Sequence, residues 1–139
     1  MKLELKHLSC YLPYELKLSQ PVLNRGFRTR LMTSKNIIDT IERQNYIKPI
    51  LRPLSDLFEV INHNGKEFKP LDFIKDQCEE DYFIDTEFES YILDRRGNLD
   101  YLIHAMNYLP YGLLNKFIEW HFDVFGLIPK GLAINKNTL

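Results

Sequence analysis

Ile47-Lys48-Pro49-Ile50-Leu51-Arg52-Pro53-Leu54-Ser55-Asp56-Leu57 is the stretch on which the fold turns. Its two prolines each fix φ, remove an amide donor and push the preceding residue out of the helical region. Residues 47–53 therefore read as extended. Ser55 then reads as a helix N-cap, and Asp56 falls in a first turn where the helix dipole favours an acid. Leu57, Phe58, Val60 and Ile61 supply the buried stripe of about two turns. An extended segment thus hands over to a helical one within eleven residues.

Upstream, Phe27, Thr29 and Leu31 alternate with Arg28, Arg30 and Met32, the period of a half-exposed strand. A further strand is expected near Glu15–Leu18, after a short helical or turn segment interrupted at Pro13. Ser34 is placed to cap a short helix over residues 36–44, where Ile37, Ile38 and Ile41 share a face. Downstream, Asn64-Gly65 either stops the helix or makes a tight hairpin turn into Lys66–Phe68. Pro70 suits the first position of a helix over Leu71–Cys78. Phe88, Tyr91 and Ile92 have helical spacing, closed by Arg95, Arg96 and Gly97. Leu99–Asn107 is another short helix, and Pro110 opens the longest, to about Phe125. A last short strand falls at Leu132–Ile134. The expected class is α+β, with a small antiparallel sheet from the N-terminal half packed against several helices of the C-terminal half, in one domain over residues 1–139.

The 139 residues suit a single globular domain: 45% are hydrophobic, with nine Phe, eight Tyr and one Trp for a core. A net charge of -1 excludes bulk attraction to nucleic acid or anionic lipid. Cys10 and Cys78 allow at most one disulfide and read as free thiols of a reducing compartment. Lys2, Glu4, Lys6 and His7 leave no apolar core for a signal peptide, and no window approaches the roughly 18–20 apolar residues of a membrane span. A soluble, intracellular protein is the expectation.

The near-zero total conceals a polarity. Residues 1–52 carry ten basic and four acidic side chains, residues 53–100 five and thirteen, and residues 101–139 three and two. Either the two poles serve different partners, or they neutralise each other at a seam.

Chemistry-bearing patterns are sparse. His7, His63, His104 and His121 are scattered, and neither cysteine has a Cys-x-x-Cys partner, so no metal site is expected. Glu119-x-His121-x-Asp123 splits its side chains around a helix, leaving His121 as a half-buried packing residue. Asn62-His63-Asn64-Gly65 reads as a polar turn. The six glycines never cluster into a phosphate-cradling loop, and no histidine is singled out as a base for Cys10. No catalytic residue, metal or cofactor is nominated, and the chain does not read as an enzyme.

Two binding surfaces are nominated instead. Arg25, Phe27, Arg28, Arg30 and Lys35, with Lys48 and Arg52 nearby in sequence, would grip phosphates and stack bases, although arginines on an edge strand also discourage aggregation. Glu79, Glu80, Asp81, Asp85 and Glu87, beside Tyr82 and Phe83, would form an acidic surface imitating a nucleic-acid backbone and suited to a basic protein groove. There is also an internal echo. His7-x-x-x-Tyr11-Leu12-Pro13-Tyr14-x-Leu16 returns as His104-x-x-x-Tyr108-Leu109-Pro110-Tyr111-x-Leu113. It does not extend into a duplicated domain, and Leu-Pro as an element start explains it.

Leu8-x-x-Tyr11-Leu12-Pro13-Tyr14-x-Leu16-Lys17, the 47–57 stretch, and Glu119-Trp120-His121-Phe122-Asp123-Val124-Phe125-Gly126-Leu127-Ile128 with Lys130-Gly131-Leu132-Ala133-Ile134 resemble a group of short proteins of phages and prophages of Bacteroidetes. The resemblance spans about 50 residues in three separated places, in order, and the acidic stretch 76–100 departs from it. It implies a phage-derived gene acting inside a bacterium and brings no catalytic residue. Small non-enzymatic phage proteins commonly disable host machines, and RNA-guided nucleases offer both basic grooves and guide RNA. The expectation is an inhibitor of host defence resembling anti-CRISPR proteins, whose partner is a host protein such as a CRISPR nuclease, with RNA contact. The alternatives are a nucleic-acid-associated phage accessory protein using the basic strand, or a small phage assembly protein.

Overall fold

In the computed structural model the described residues are 2–23, 26–80 and 91–139, without the side chains of 77–80. The strands are β1 (Lys17–Val22), β2 (Gly26–Leu31), β3 (Lys48–Leu51), β4 (Ile61–His63), β5 (Lys66–Phe68) and β6 (Ile134–Asn135). The helices are α1 (Leu5–Ser9), α2 (Ile37–Glu42), α3 (Pro70–Glu80), α4 (Leu99–Ala105) and α5 (Tyr111–Glu119). Short 3-10 turns occupy Leu12–Tyr14, Leu54–Phe58, Met106–Tyr108 and Lys136–Thr138. The class is α+β.

The chain divides into two compact units, one of Met1–Pro53 with Ile118–Leu139 and one of Leu54–Phe117. Charge divides with them. Counted over the sequence, the first unit holds twelve basic and six acidic side chains, a net of +6, and the second six and thirteen, a net of -7.

The first unit is built on a four-stranded sheet of order β2-β1-β3-β6. β1 and β2 form a hairpin, from Lys17 opposite Leu31 to Val22 opposite Gly26. β3 adds to the other side of β1 only at Leu18 and Ser19, so Pro21 costs no ladder bond with β3 despite lacking an amide hydrogen. The sheet is mixed rather than wholly antiparallel, because β6 lies parallel to β3, with Ile50 opposite Ile134. Leu18 and Leu51 are buried in the core of this unit, together with Leu8, Leu16, Met32, Phe122 and Leu127. The strand expected at residues 27–32 is observed one residue earlier, as β2.

The helix expected at 36–44 is the shorter α2, preceded by Asn36 rather than capped by Ser34. The Asn36 carboxamide accepts from the Thr33 amide at 2.7 Å and donates to the Leu31 carbonyl at 3.0 Å, fixing the turn out of β2. Ile37 is buried, whereas Ile38 is half exposed.

In the second unit the helix expected from Ser55 is a 3-10 turn, with Leu54, Leu57 and Phe58 buried and Val60 exposed. Ile61 belongs to β4, and Asn64-Gly65 makes the β4–β5 hairpin turn with φ of 54° and 82° at its two residues, the left-handed geometry that Asn and Gly tolerate best. α3 begins at Pro70 as its fixed φ suggests and runs to Glu80. In α4, the Asn98 side chain caps the helix by accepting from the Tyr101 amide. Ile74, Ile92, Leu102, Ala105, Leu113 and Phe117 are buried.

The helix expected to run from Pro110 to Phe125 ends at Glu119. His121 adopts φ of 65°, and Phe122 forms an isolated parallel bridge with Arg52. A long-range backbone pairing has taken over residues whose apolar spacing suited a helix. The final strand lies at Ile134–Asn135, slightly beyond the expected 132–134.

Candidate functional site

Residues 7–14, 52 and 120–128 meet in the first unit as a clasp. The Arg52 amide donates to the His121 carbonyl at 2.8 Å, the Asp123 amide donates to the Arg52 carbonyl at 2.9 Å, and Arg52 Nε donates to the Trp120 carbonyl at 3.0 Å. Tyr11 is fully buried, and its hydroxyl donates to the Phe122 carbonyl and accepts from the Val124 amide. His121 Nε2 meets the Tyr14 carbonyl, so this nitrogen carries the ring proton. His7 packs edge-on against Phe125, with ring centroids 5.2 Å apart, and its Nδ1 accepts from the Glu4 amide at 3.0 Å.

Asp123 closes the clasp. Oδ1 accepts from the Leu127 amide at 2.7 Å and Oδ2 from the Ile128 amide at 2.8 Å, so one carboxylate orders the 124–128 turn. Burial raises its pKa, and the amides of Ile128, Leu127 and Gly126 oppose that rise. Burial likewise holds the Tyr11 phenol well above its ordinary range and pushes the Cys10 thiol up to about 11. Cys10 at neutral pH is a protonated thiol and a poor nucleophile. The polar groups of the clasp are engaged with main chain, which is a structural use.

The exposed chemistry lies on the hairpin. Leu23 is 88% and Phe27 72% exposed, large apolar surfaces at its far end. Period two divides β2 between two faces. Arg28 and Arg30 stand opposite Gln20 and Leu18 on one face, where Arg30 Nη1 donates to Gln20 Oε1 at 2.8 Å. Phe27 stands opposite Pro21 on the other face. The structure therefore separates the aromatic from the two arginines with which it was grouped. Lys35 is exposed on the turn after β2, and Arg25 lies outside the described residues. Arg52, noted beside this group in sequence, is buried in the clasp.

On the Phe27 face is a groove of about 270 Å³. Ser19 and Pro21 of β1, Phe27 of β2, Lys48 of β3 and Ile134 of β6 line it, with Asn45 and Tyr46 from the turn before β3. Tyr46 is 68% exposed, so two aromatic rings are open to solvent at one place. Burial first, and then the neighbouring charges of Arg52 and Lys17, lower the pKa of Lys136, which follows β6 directly. Lys17 shares the Ser19–Pro21 face of β1 by alternation. Lys48 supplies a positive charge to the groove's lining.

Lys48 is the groove residue that sequence reading touched besides Phe27. Tyr46, Ser19 and Ile134 were missed, because the β2-β1-β3-β6 order brings them together and no local pattern announces that order.

On the acidic side, Asp81, Asp85 and Glu87, with Tyr82 and Phe83, lie outside the described residues, as do the side chains of Glu79 and Glu80. Elsewhere in the second unit Arg95, Arg96 and Lys116 lie over rings, Arg95 3.5 Å from the Tyr91 centroid, Arg96 5.4 Å from Phe58 and Lys116 5.9 Å from Phe73. Among the described residues, no group of three or more His, Cys, Asp or Glu could hold a metal ion, and no helix is long and apolar enough to cross a membrane.

No protein-family model matches the sequence, and no curated protein or solved structure shows significant similarity to it.

Proposed function

We propose that the protein is a non-enzymatic binding protein that inhibits host defence by engaging an RNA-guided nuclease or its guide complex in the bacterial cytoplasm. The observation that carries the binding reading is the hairpin, where Leu23 and Phe27 stand exposed on a unit of net charge +6. Exposed large apolar groups among cations mark interaction sites, and charge of one sign steers a partner of the other. The choice of partner draws on the resemblance to phage-encoded proteins. A basic unit suits guide RNA, and an acidic unit of net charge -7 suits a nuclease groove. The groove with Phe27, Tyr46 and Lys48 also favours a second reading, a phage accessory protein that binds nucleic acid unaided.

The test is a cleavage assay with a guide-loaded nuclease from a Bacteroidetes host and increasing amounts of the protein. Saturable loss of cleavage, co-elution of the two proteins and relief of inhibition by Arg28→Glu with Arg30→Glu are expected. Unchanged cleavage without co-elution contradicts the inhibitor reading.

A further inference from the structure

We infer that the groove between the hairpin and the turn before β3 is a binding site for single-stranded nucleic acid, with bases stacked on Phe27 and Tyr46 and the adjoining phosphates drawn to Lys48. This rests on the binding reading and gives it a site and a ligand class.

The first argument is exposure. Phe27 and Tyr46 are 72% and 68% exposed, and leaving two such rings in water forfeits the stabilisation that burial gives an aromatic side chain. Both border the same groove. Every base offers a π-face to an aromatic ring, and those faces are free only when the strand is single.

The second argument is size. A volume of about 270 Å³ falls just short of the roughly 300–1,000 Å³ of pockets that enclose whole small-molecule ligands. It suits one ring system of a longer chain that continues over the surface. Ser19 and Asn45 in its lining offer a hydroxyl and a carboxamide, which can meet base or sugar edges of several patterns.

The third argument is charge. Lys48 is in the lining, on a unit of net charge +6. An anionic backbone meets that charge. An acidic peptide would satisfy the lysine but would leave the two rings without flat partners. Arg28 and Arg30 face away from this groove and contribute only to the general field.

The experiment uses the full chain and fluorescence anisotropy with labelled twelve-nucleotide oligouridylate, oligothymidylate and a duplex of equal length. Both single strands are expected to bind more tightly than the duplex, and the ratio between them distinguishes RNA from DNA as the source. Phe27→Ala and Tyr46→Ala should each weaken binding about tenfold, as expected for loss of one stacked base. Lys48→Gln should reduce the salt slope by about one ion. Because Phe27 and Tyr46 are largely exposed, neither alanine variant removes core packing, and unchanged Trp120 emission verifies the fold.

Equal binding by wild type and both alanine variants overturns the inference, as does preference for duplex or equal competition by a polyglutamate peptide. Inhibition of the nuclease without oligonucleotide binding overturns the groove assignment alone. Absence of both removes the binding reading as well.

Discussion

The echoed segments His7–Leu16 and His104–Leu113 share six residues in one spacing, yet the molecule treats them differently. In both, a short helix passes into a 3-10 turn near the Tyr-Leu-Pro-Tyr sequence. The first Tyr of one copy, Tyr11, is fully buried, and that of the other, Tyr108, is 61% exposed. His7 is buried against Phe125, while His104 is exposed and packs edge-on to its neighbour Tyr108. Distant residues supply the partners of the first copy. The Phe122 carbonyl receives the Tyr11 hydroxyl, and Asp123 orders the turn that follows. A shared motif sets the local turn, and distant residues decide whether it becomes core.

That contrast breaks most visibly at the tyrosines. Tyr11→Ala should destabilise the protein by about 3–5 kcal/mol, the range for deleting a fully buried aromatic, and Tyr108→Ala by about 0.5 kcal/mol or less. Urea unfolding followed by circular dichroism measures both. Equal losses would mean that the two segments are equivalent after all. Trp120, the only tryptophan, lies in the first unit and is 7% exposed, so its emission reports the clasp separately.

Asp123→Asn is the next largest. It keeps the shape but sets an amide NH₂ against a backbone N–H that needs an acceptor, at a cost of about 2 kcal/mol. The loss should appear in the Trp120 transition. An unshifted midpoint would show that the 124–128 turn holds without the carboxylate.

The smallest effect concerns pH. Burial first, and Lys6 second, lower the His7 pKa below its ordinary 6.5, against a smaller opposing pull from Glu4. Protonation would also cost the bond in which Nδ1 accepts from the Glu4 amide. The folded state then binds fewer protons than the unfolded state, so the His7 contribution is present above pH 6.5 and is lost as pH falls through the lower folded value. Urea midpoints at pH 7.5 and 5.5 should fall further for wild type than for His7→Gln. Parallel falls would locate the acid sensitivity elsewhere.

Much of the fold was legible where backbone chemistry is local. Pro49 and Pro53 bracket the extended segment, Asn64-Gly65 turns the second hairpin, and Pro70 opens a helix. The residues after Glu119 were not legible. Leu113, Leu114, Phe117, Ile118 and His121 have a spacing that suits a longer helix, and the pairing of Phe122 with Arg52, 70 positions away in sequence, leaves no local pattern to announce it. The parallel β3–β6 pair, which puts Ile134 beside Lys48, was hidden for the same reason. The site was half legible. Alternation alone places Phe27 opposite to Arg28 and Arg30, but grouping them by proximity in sequence obscured it. Tyr46 carried no signal until the turn brought it to the groove.

The most direct measurement is a titration of the isotope-labelled full chain with oligouridylate, followed by amide chemical shifts. The account predicts changes at Ser19, Phe27, Tyr46 and Lys48 with residues 99–117 unmoved. Changes centred on Tyr108 and Tyr111, or none at saturating oligonucleotide, would contradict it.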